Sequence, residues 1–302
     1  MSRPLRIGTR RSALALAQAR SVVRLIRKIP SAPEVELVAM STSGDRSFRP
    51  SRTLDFTDAI EEALVDGGVD LAVHSAKDLT VRPRRSLEIL AYPRRSDPRE
   101  SVVSRSGSPL QTLATGARVG SSSLRRQAQL LRWRPDLHIV PLRGNVDRRL
   151  AKLDAGEVDA IVLARAGLVR LRWGGRSTEV VSPRRMLPPP GQGALAVQGR
   201  RSDRRLAALL RRIDHPSTRA AVSAERALAA ELGGDCNLPL AAWAHPRGAT
   251  GLELTAEVLS PDGRRSVRGT MVGTPEQPEK LGRELGARLL RSGAGEVLRV
   301  AS

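Results

Sequence analysis

Short apolar runs alternate along the chain with amphipathic stretches, and the spacing of buried positions switches repeatedly between period 2 and period 3.6. Leu5-Arg6-Ile7-Gly8 reads as a short strand that turns through Thr9-Arg10-Arg11-Ser12 into an amphipathic helix from Ala13 to about Lys28, with Ser12 as N-cap. Val35 to Met40 alternates as a strand, and the polar stretch from Ser41 to Thr53 predicts a mobile loop. A helix from about Thr57 to Val65 leads to a buried strand, Val69 to Val73, which ends in His74-Ser75-Ala76-Lys77-Asp78.

The pattern then recurs. Leu64 to Val73 and Leu153 to Val162 share Leu, Gly, Val-Asp and Val in register, each reading as a helix end, a tight glycine turn and a buried strand. Two α/β halves of similar design follow. In the second half, strands at Ala117 to Gly120 and near Leu137 to Leu142 each run into a helix, the first reaching about Trp133 and the second carrying Arg149. The Pro-containing stretches Tyr92 to Arg99 and Met186 to Ala194 suit two crossings between the halves. From Asp214 the pattern changes: a helix from Ser217 to Leu232 should stop at Gly233-Gly234, and strands Leu252 to Leu259 and Ser266 to Val272 flank a Ser260-Pro261-Asp262-Gly263 turn. A helix from about Pro275 to Arg291 closes the chain. The expected fold is α/β, two similar doubly wound lobes of the periplasmic-binding-protein kind plus a small α+β C-terminal domain. The expected domains are residues 1–93 with about 194–213, residues 98–189, and residues 214–302.

Composition narrows the function. The 302 residues carry a net charge of +20, and 40% hydrophobic content suffices for packed cores. Neither a membrane-length apolar run nor a signal-peptide pattern is visible, so a soluble cytoplasmic protein is expected. The charge suggests nucleic acid, but aromatics are only 2%, too few for stacking platforms, and no basic helix or zinc-finger spacing occurs. The positive charge is almost all arginine, since the only lysines are Lys28, Lys77, Lys152 and Lys280. Arginine-rich coding explains most surface arginines. A guanidinium also grips a carboxylate through two hydrogen bonds, so a polycarboxylate ligand stands beside a polyphosphate one.

Four turns at expected strand ends carry cations, three of them arginines, where an open α/β sheet binds ligands: Arg10-Arg11, the turn holding Lys77, Ser121-Ser122-Ser123-Leu124-Arg125-Arg126, and Arg143-Gly144-Asn145-Val146 with Arg149 beyond. The second of these supplies lysine in place of arginine. Asp78 follows a buried strand beside Lys77, suiting it either to stabilise a developing cation or to serve as an ordinary turn aspartate. Cys236 is the only cysteine and follows the glycine pair, which places it in a loop as a nucleophile or covalent anchor; a lone cysteine is otherwise a small buried hydrophobe. The four histidines have no metal spacing with it, so no metal is expected. An enzyme using Cys236 and Asp78 and a two-lobed protein that binds a small polycarboxylate without chemistry both remain open at this point.

Taken together, Leu5 to Leu16, Val69 to Leu79, Asp97-Pro98-Arg99, Val119 to Gln127, Leu142 to Val146, Ala166-Gly167-Leu168, Pro190 to Ala194 and Gly234 to Pro239 resemble the porphobilinogen deaminase (hydroxymethylbilane synthase) family along nearly the whole chain. The resemblance implies a dipyrromethane cofactor held by a thioether at Cys236, with Asp78 catalytic. It implies cofactor contacts from Ser75, Lys77, Ser122, Ser123, Arg125, Arg126, Arg143 and Asn145. Substrate contacts would come from Arg10, Ser12, Arg149, Arg170 and Gln192, the last near the hinge. Porphobilinogen and the growing pyrrole chain are the implied partners, with no nucleic acid, no membrane and a monomeric protein. One segment departs from the family: its Gly-Gly-Lys-Gly-like lid is replaced by Ser51-Arg52-Thr53-Leu54-Asp55-Phe56, and Asp58 stands where lysine is common.

Overall fold

The computed structural model describes residues 3–41, 57–80, 84–234 and 238–299. The stretch expected as a lid, Ser51 to Phe56, lies outside them, as does Cys236. In chain order the first elements are β1 (Leu5–Arg10), α1 (Ala13–Ile26), β2 (Val35–Met40), α2 (Asp58–Val65), β3 (Leu71–Ser75) and β4 (Leu87–Ala91). There follow β5 (Glu100–Ser104), β6 (Arg118–Gly120), α3 (Leu124–Trp133), β7 (His138–Val140), α4 (Val146–Asp154), β8 (Ala160–Ala164), α5 (Arg165–Arg170) and β9 (Glu179–Val181). The last are β10 (Leu195–Arg200), α6 (Arg204–Leu210), α7 (Pro216–Glu231), β11 (Leu240–Arg247), β12 (Gly251–Leu259), β13 (Ser266–Gly273), α8 (Pro278–Arg291) and α9 (Ala294–Arg299).

These elements form two compact units, one of residues 1–95 and 194–219, the other of residues 96–193 and 220–302. The first unit is built on a five-stranded sheet of order β2-β1-β3-β10-β4. β1 lies parallel to β2 and β3, while β10 runs antiparallel to both its neighbours. Helices α1 and α6 cover one face through Ala19, Val22, Val23, Ile26, Leu206 and Leu210. On the other face α2 packs Ile60 and Leu64 against Val69 and Ala72. The near-continuous burial of β3 follows, because a sheet with helices on both faces hides both sides of its central strands.

The second unit repeats the design with a sheet of order β7-β6-β8-β5-β9. β6 is parallel to β7 and β8, and β5 is antiparallel to β8 and β9. Along β8, Ala160 and Val162 face one core and Ile161 and Leu163 the other. The sequence echo is therefore structural. Gly67 and Gly156 turn the chain at positive φ, 72° and 77°. The following aspartates then bond the neighbouring strand alike: Asp70 Oδ2 accepts from the Arg6 amide at 2.9 Å, and Asp159 Oδ2 from the Arg118 amide at 2.8 Å.

The same unit carries a three-stranded antiparallel sheet, β11-β12-β13, covered by α7, α8 and α9 around Leu228, Leu254, Leu285 and Leu289. The expected hairpin forms with its turn at Gly263, φ 73°. Helix α7 gives way to Gly233 and Gly234 at φ 91° and 66°, as the glycine pair predicts. Sequence pattern alone missed β4, β5, β9, β10, β11, α5, α6 and α9. In β10, Gln198 and Gly199 interrupt the apolar run, and both are accommodated because antiparallel neighbours on each side satisfy the backbone. The expected strand at Val69 to Val73 begins pairing only at Leu71, since Val69 and Asp70 lead into the sheet.

Helices α7 and α8 meet at Gly282, where a Cβ would lie 2.8 Å from both the Leu228 amide and the Ala227 Cβ. Gly282→Ala should therefore destabilise the protein by about 1–3 kcal/mol, the usual range for overpacking, and urea unfolding will measure it.

Candidate functional site

In the first unit, β1 and β3 are parallel neighbours, so the turns after them lie at the same sheet edge. A pocket there is lined by Arg10, Ser12, Gln18, His74, Ser75 and Asp78, among others. Arg10 ends β1, while Ser12 caps α1, its Oγ accepting from the Ala15 amide at 3.2 Å. Ser75 ends β3, and Asp78 closes a single 3-10 turn, Ala76–Asp78, that also holds half-buried Lys77. Four of the residues read from the sequence thus come together here: Arg10, Ser12, Ser75 and Asp78.

Gln18 was not among them. It is buried on the core side of α1, and its Nε2 donates to Ser75 Oγ at 2.8 Å. Its signal was a lone polar residue in register with Ala15, Ala19, Val22, Val23 and Ile26, where periodicity predicts an apolar one.

In the second unit, β6 runs into Ser121-Ser122-Ser123 and then α3. Ser123 is the N-cap, accepting from the Arg126 amide at 3.4 Å. Ser122 Oγ is buried and has no hydrogen-bond partner among the described residues. Below them Glu100, fully buried on β5, accepts hydrogen bonds from Arg125 and from Arg126 Nη2, the latter at 2.8 Å. Arg125 also donates to the Leu187 carbonyl at 2.6 Å and is only 3% exposed. Burial lowers its pKa to about 10, against the opposing charge of Glu100.

The guanidinium of Arg125, expected from the resemblance to meet a cofactor carboxylate, is thus engaged by a carboxylate of the protein itself. Glu100 was invisible to pattern reading, being a charge inside a buried strand whose partners lie 25 and 26 residues on.

Arg149, half-buried on α4, donates its Nε to the Gly144 carbonyl at 2.7 Å. Burial, and then the nearby charge of Arg126, lower its pKa to about 10. Arg170 behaves similarly: burial takes it to about 10, and it donates to the Gly193 carbonyl at 2.8 Å. Arg143 is exposed, and Asn145 precedes α4 without a side-chain cap bond. Gln192 is fully buried and donates to the Pro98 carbonyl at 2.8 Å, which ties its loop to a segment 94 residues earlier in the chain.

In this cluster the guanidinium groups of Arg125 and Arg126 share the carboxylate of Glu100, and Arg149 lies near enough to Arg126 to feel its charge. A desolvated cation repelled by its neighbour is stabilised by an anion, and the orphan Ser122 hydroxyl can donate to one. The buried Ser122 hydroxyl without a partner among the described residues and the desolvated Arg149 therefore fit a ligand bearing several carboxylates, as a dipyrromethane does.

Two similar α/β lobes with cation-bearing strand-end turns, and a small α+β C-terminal domain, define the class by its fold. Comparison with known proteins narrows this. Residues 5–208 match the porphobilinogen deaminase dipyromethane cofactor binding domain, and residues 219–291 match the porphobilinogen deaminase C-terminal domain. Curated porphobilinogen deaminases align along almost the entire chain: 45% identity with that of Acidothermus cellulolyticus, over 97% of this chain and 91% of that one; 42% with that of Thermus thermophilus, over 97% of each; and 46% with that of Moorella thermoacetica, over 97% and 95%. The chain belongs to the porphobilinogen deaminase family. Among the described residues no helix is long and apolar enough to cross a membrane.

Glu100→Ala should leave two buried guanidinium groups without their carboxylate and cost about 3–5 kcal/mol in urea unfolding, the usual penalty for breaking a buried ion pair. Arg149→Met should act oppositely on protein free of ligand. Removing a desolvated, repelled cation should leave the melting temperature unchanged or raise it, while calorimetry shows weaker binding of a polycarboxylate.

Proposed function

We propose that this chain is a porphobilinogen deaminase, a transferase of tetrapyrrole (haem) biosynthesis that condenses four porphobilinogen molecules stepwise and releases hydroxymethylbilane, acting in the cytoplasm as a monomer. The observation that carries the reading is the pocket where Asp78 stands with Arg10, Ser12 and Ser75, in a chain matched to the family's cofactor-binding domain. The family match favours this over a polycarboxylate-binding protein without chemistry.

Each condensation has a clear electrostatic demand. Protonated amine leaves the substrate's aminomethyl carbon, and the pyrrole nitrogen takes up positive charge as the methylene forms. Asp78, half-buried at the pocket, supplies the balancing carboxylate. Arg10 and Ser12 hold substrate carboxylates, since a guanidinium and a hydroxyl at a helix start both favour an anion. Ser75 and Lys77 extend the cofactor contacts along the same turn. Ser122, Ser123, Arg126, Arg143, Asn145, Arg149 and Arg170 are assigned to carboxylates of the cofactor and growing chain, and Gln192 to the loop supporting them. Arg125, a cofactor contact by the family resemblance, shares Glu100 with Arg126 and adds to the positive charge of the cluster. A dipyrromethane held by Cys236 would supply the free pyrrole α-carbon that acts as nucleophile and the tether that retains the growing chain.

Cys236→Ser should abolish both the tether and turnover, because an alcohol is a poorer nucleophile than a thiolate. Intact mass should show an adduct of two pyrrole units on the native chain and none on the variant; an unmodified native chain that still turns over porphobilinogen would overturn the assignment. Asp78→Asn should keep the fold and the adduct yet slow each condensation by about 100-fold or more, as expected for loss of a group that stabilises the transition state. Rapid quench with mass spectrometry of enzyme-bound species will read each step.

A further inference from the structure

Strand β12 alternates between two faces, and only one of them belongs to the apolar core of its sheet. Leu252, Leu254, Ala256 and Val258 pack into that core, so Thr255, Glu257 and Leu259 lie on the opposite face. An antiparallel sheet with helices on one side usually leaves its second face to water. Here Glu257 is only 3% exposed and Leu259 is fully buried.

Helix α3 lies against this end of the hairpin, within the same compact unit. Arg132, in the last turn of α3, donates from Nη1 to Glu257 Oε1 and to Ser266 Oγ, the latter at 2.6 Å. On β13, Arg268 stands 3.8 Å from the other Glu257 oxygen and donates to the Arg184 carbonyl at 3.4 Å. The hairpin turn meets the helix backbone directly: a Cβ on Gly263 would overlap the Ala128 carbonyl oxygen and lie 2.8 Å from the Arg132 amide. The turn is stiff, since the Ser260 amide donates to the Arg265 carbonyl at 2.8 Å, the Arg265 amide to Ser260 Oγ at 2.9 Å and the Arg264 amide to Asp262 Oδ1 at 3.1 Å.

A carboxylate this buried is costly without its cation, so any placement of the hairpin that parts Glu257 from Arg132 is penalised. Gly263 sets how closely the turn approaches, and the ion pair sets where along the helix it sits. The same helix carries Ser123 and Arg126 at its other end, about 9 Å from Arg132 at ~1.5 Å per residue. The strand paired with β12 is β11, which the chain enters after Cys236. One short helix and one small sheet thus link the residue assigned to the tether with residues assigned to the carboxylates. We propose that Glu257 and Arg132 are positioning residues for the cofactor: their ion pair holds the sheet that follows Cys236 at a fixed register on α3, so that a dipyrromethane tethered there presents its carboxylates to the N-terminal turn of that helix. The proposal rests on the deaminase reading for its consequence for the cofactor, and on side-chain geometry alone for the register.

Two measurements separate these. Nitroxide labels on Arg148→Cys in α4 and Arg283→Cys in α8, both exposed positions, in full-length Cys236→Ser protein report the spacing of lobe and sheet by double electron–electron resonance. One narrow distance distribution is expected. Arg132→Met or Glu257→Gln should broaden or shift it, whereas Arg132→Lys, which keeps the cation, should not. Arg132 is exposed on its outer side and Arg268 stays beside Glu257, so Arg132→Met should keep the fold. With Cys236 intact, cofactor-free protein given porphobilinogen should gain its two-pyrrole adduct about 10- to 100-fold more slowly in Arg132→Met and Glu257→Gln, the usual cost of misplacing reacting groups, and within about twofold of native in Arg132→Lys, followed by intact mass. A pair that serves stability alone would lower the melting temperature of the variants and leave the rate of adduct formation in folded protein unchanged, which overturns the proposal. So does an unchanged narrow distribution in both Arg132→Met and Glu257→Gln. Native protein that never gains an adduct would instead remove the deaminase reading while leaving the distance result standing.

Discussion

One buried carboxylate, Glu100, anchors more positive charge than it neutralises. Two guanidinium groups bond it directly, and burial, then the nearby charge of Arg126, lowers the pKa of Arg149. Such an arrangement opposes folding, and it persists because the cores on both faces of the β7-β6-β8-β5-β9 sheet bury enough apolar surface to hold it. The surplus charge is then fixed before any ligand arrives, so an anion meets oriented donors and little reorganisation remains.

Both lobes obtain their binding turns in the same way. A parallel pair, β1 with β3 or β6 with β8, delivers two turns to one sheet edge, and the aspartate before the second strand, Asp70 or Asp159, ties the two strand starts together. The strands can shift little in register without breaking those bonds, and so neither can the residues at their other ends. The antiparallel fourth strand, β10 or β5, brings the remaining buried polar groups: Gln198 in one sheet and Glu100 in the other. Each lobe thus places one polar side chain from its reversed strand beneath the turns that carry its candidate ligand contacts.

Several polar residues near the turns serve the fold first. Ser12 and Ser123 cap helices, Gln192 ties its loop to the Pro98 carbonyl, and Arg125 donates to Glu100 and to the Leu187 carbonyl. The hydroxyl that no helix uses is Ser122, and the side chain that an apolar helix face would not call for is Gln18. Polar groups without a structural duty at a strand end are where a ligand is best accommodated, since their hydrogen bonds still have to be made.

The sequence by itself determined the two α/β lobes, the Gly-Gly stop after α7, the β12–β13 hairpin and the capping role of Ser12, because each depends on residues within a few positions of one another. It also named Arg10, Ser12, Ser75 and Asp78, which come together because motifs at strand ends converge in any open α/β sheet. β10 was not legible, since a central strand flanked on both sides by antiparallel partners tolerates the Gln198 and Gly199 that disguise it. Nor were the partners of the buried charges. That Arg125 meets Glu100, and that His74 lies against Gln198, depends on groups 25 and 124 residues away in sequence. Periodicity is a local property of the chain, whereas the pairing of buried charges and hydrogen-bond donors is settled only when distant strands lie side by side.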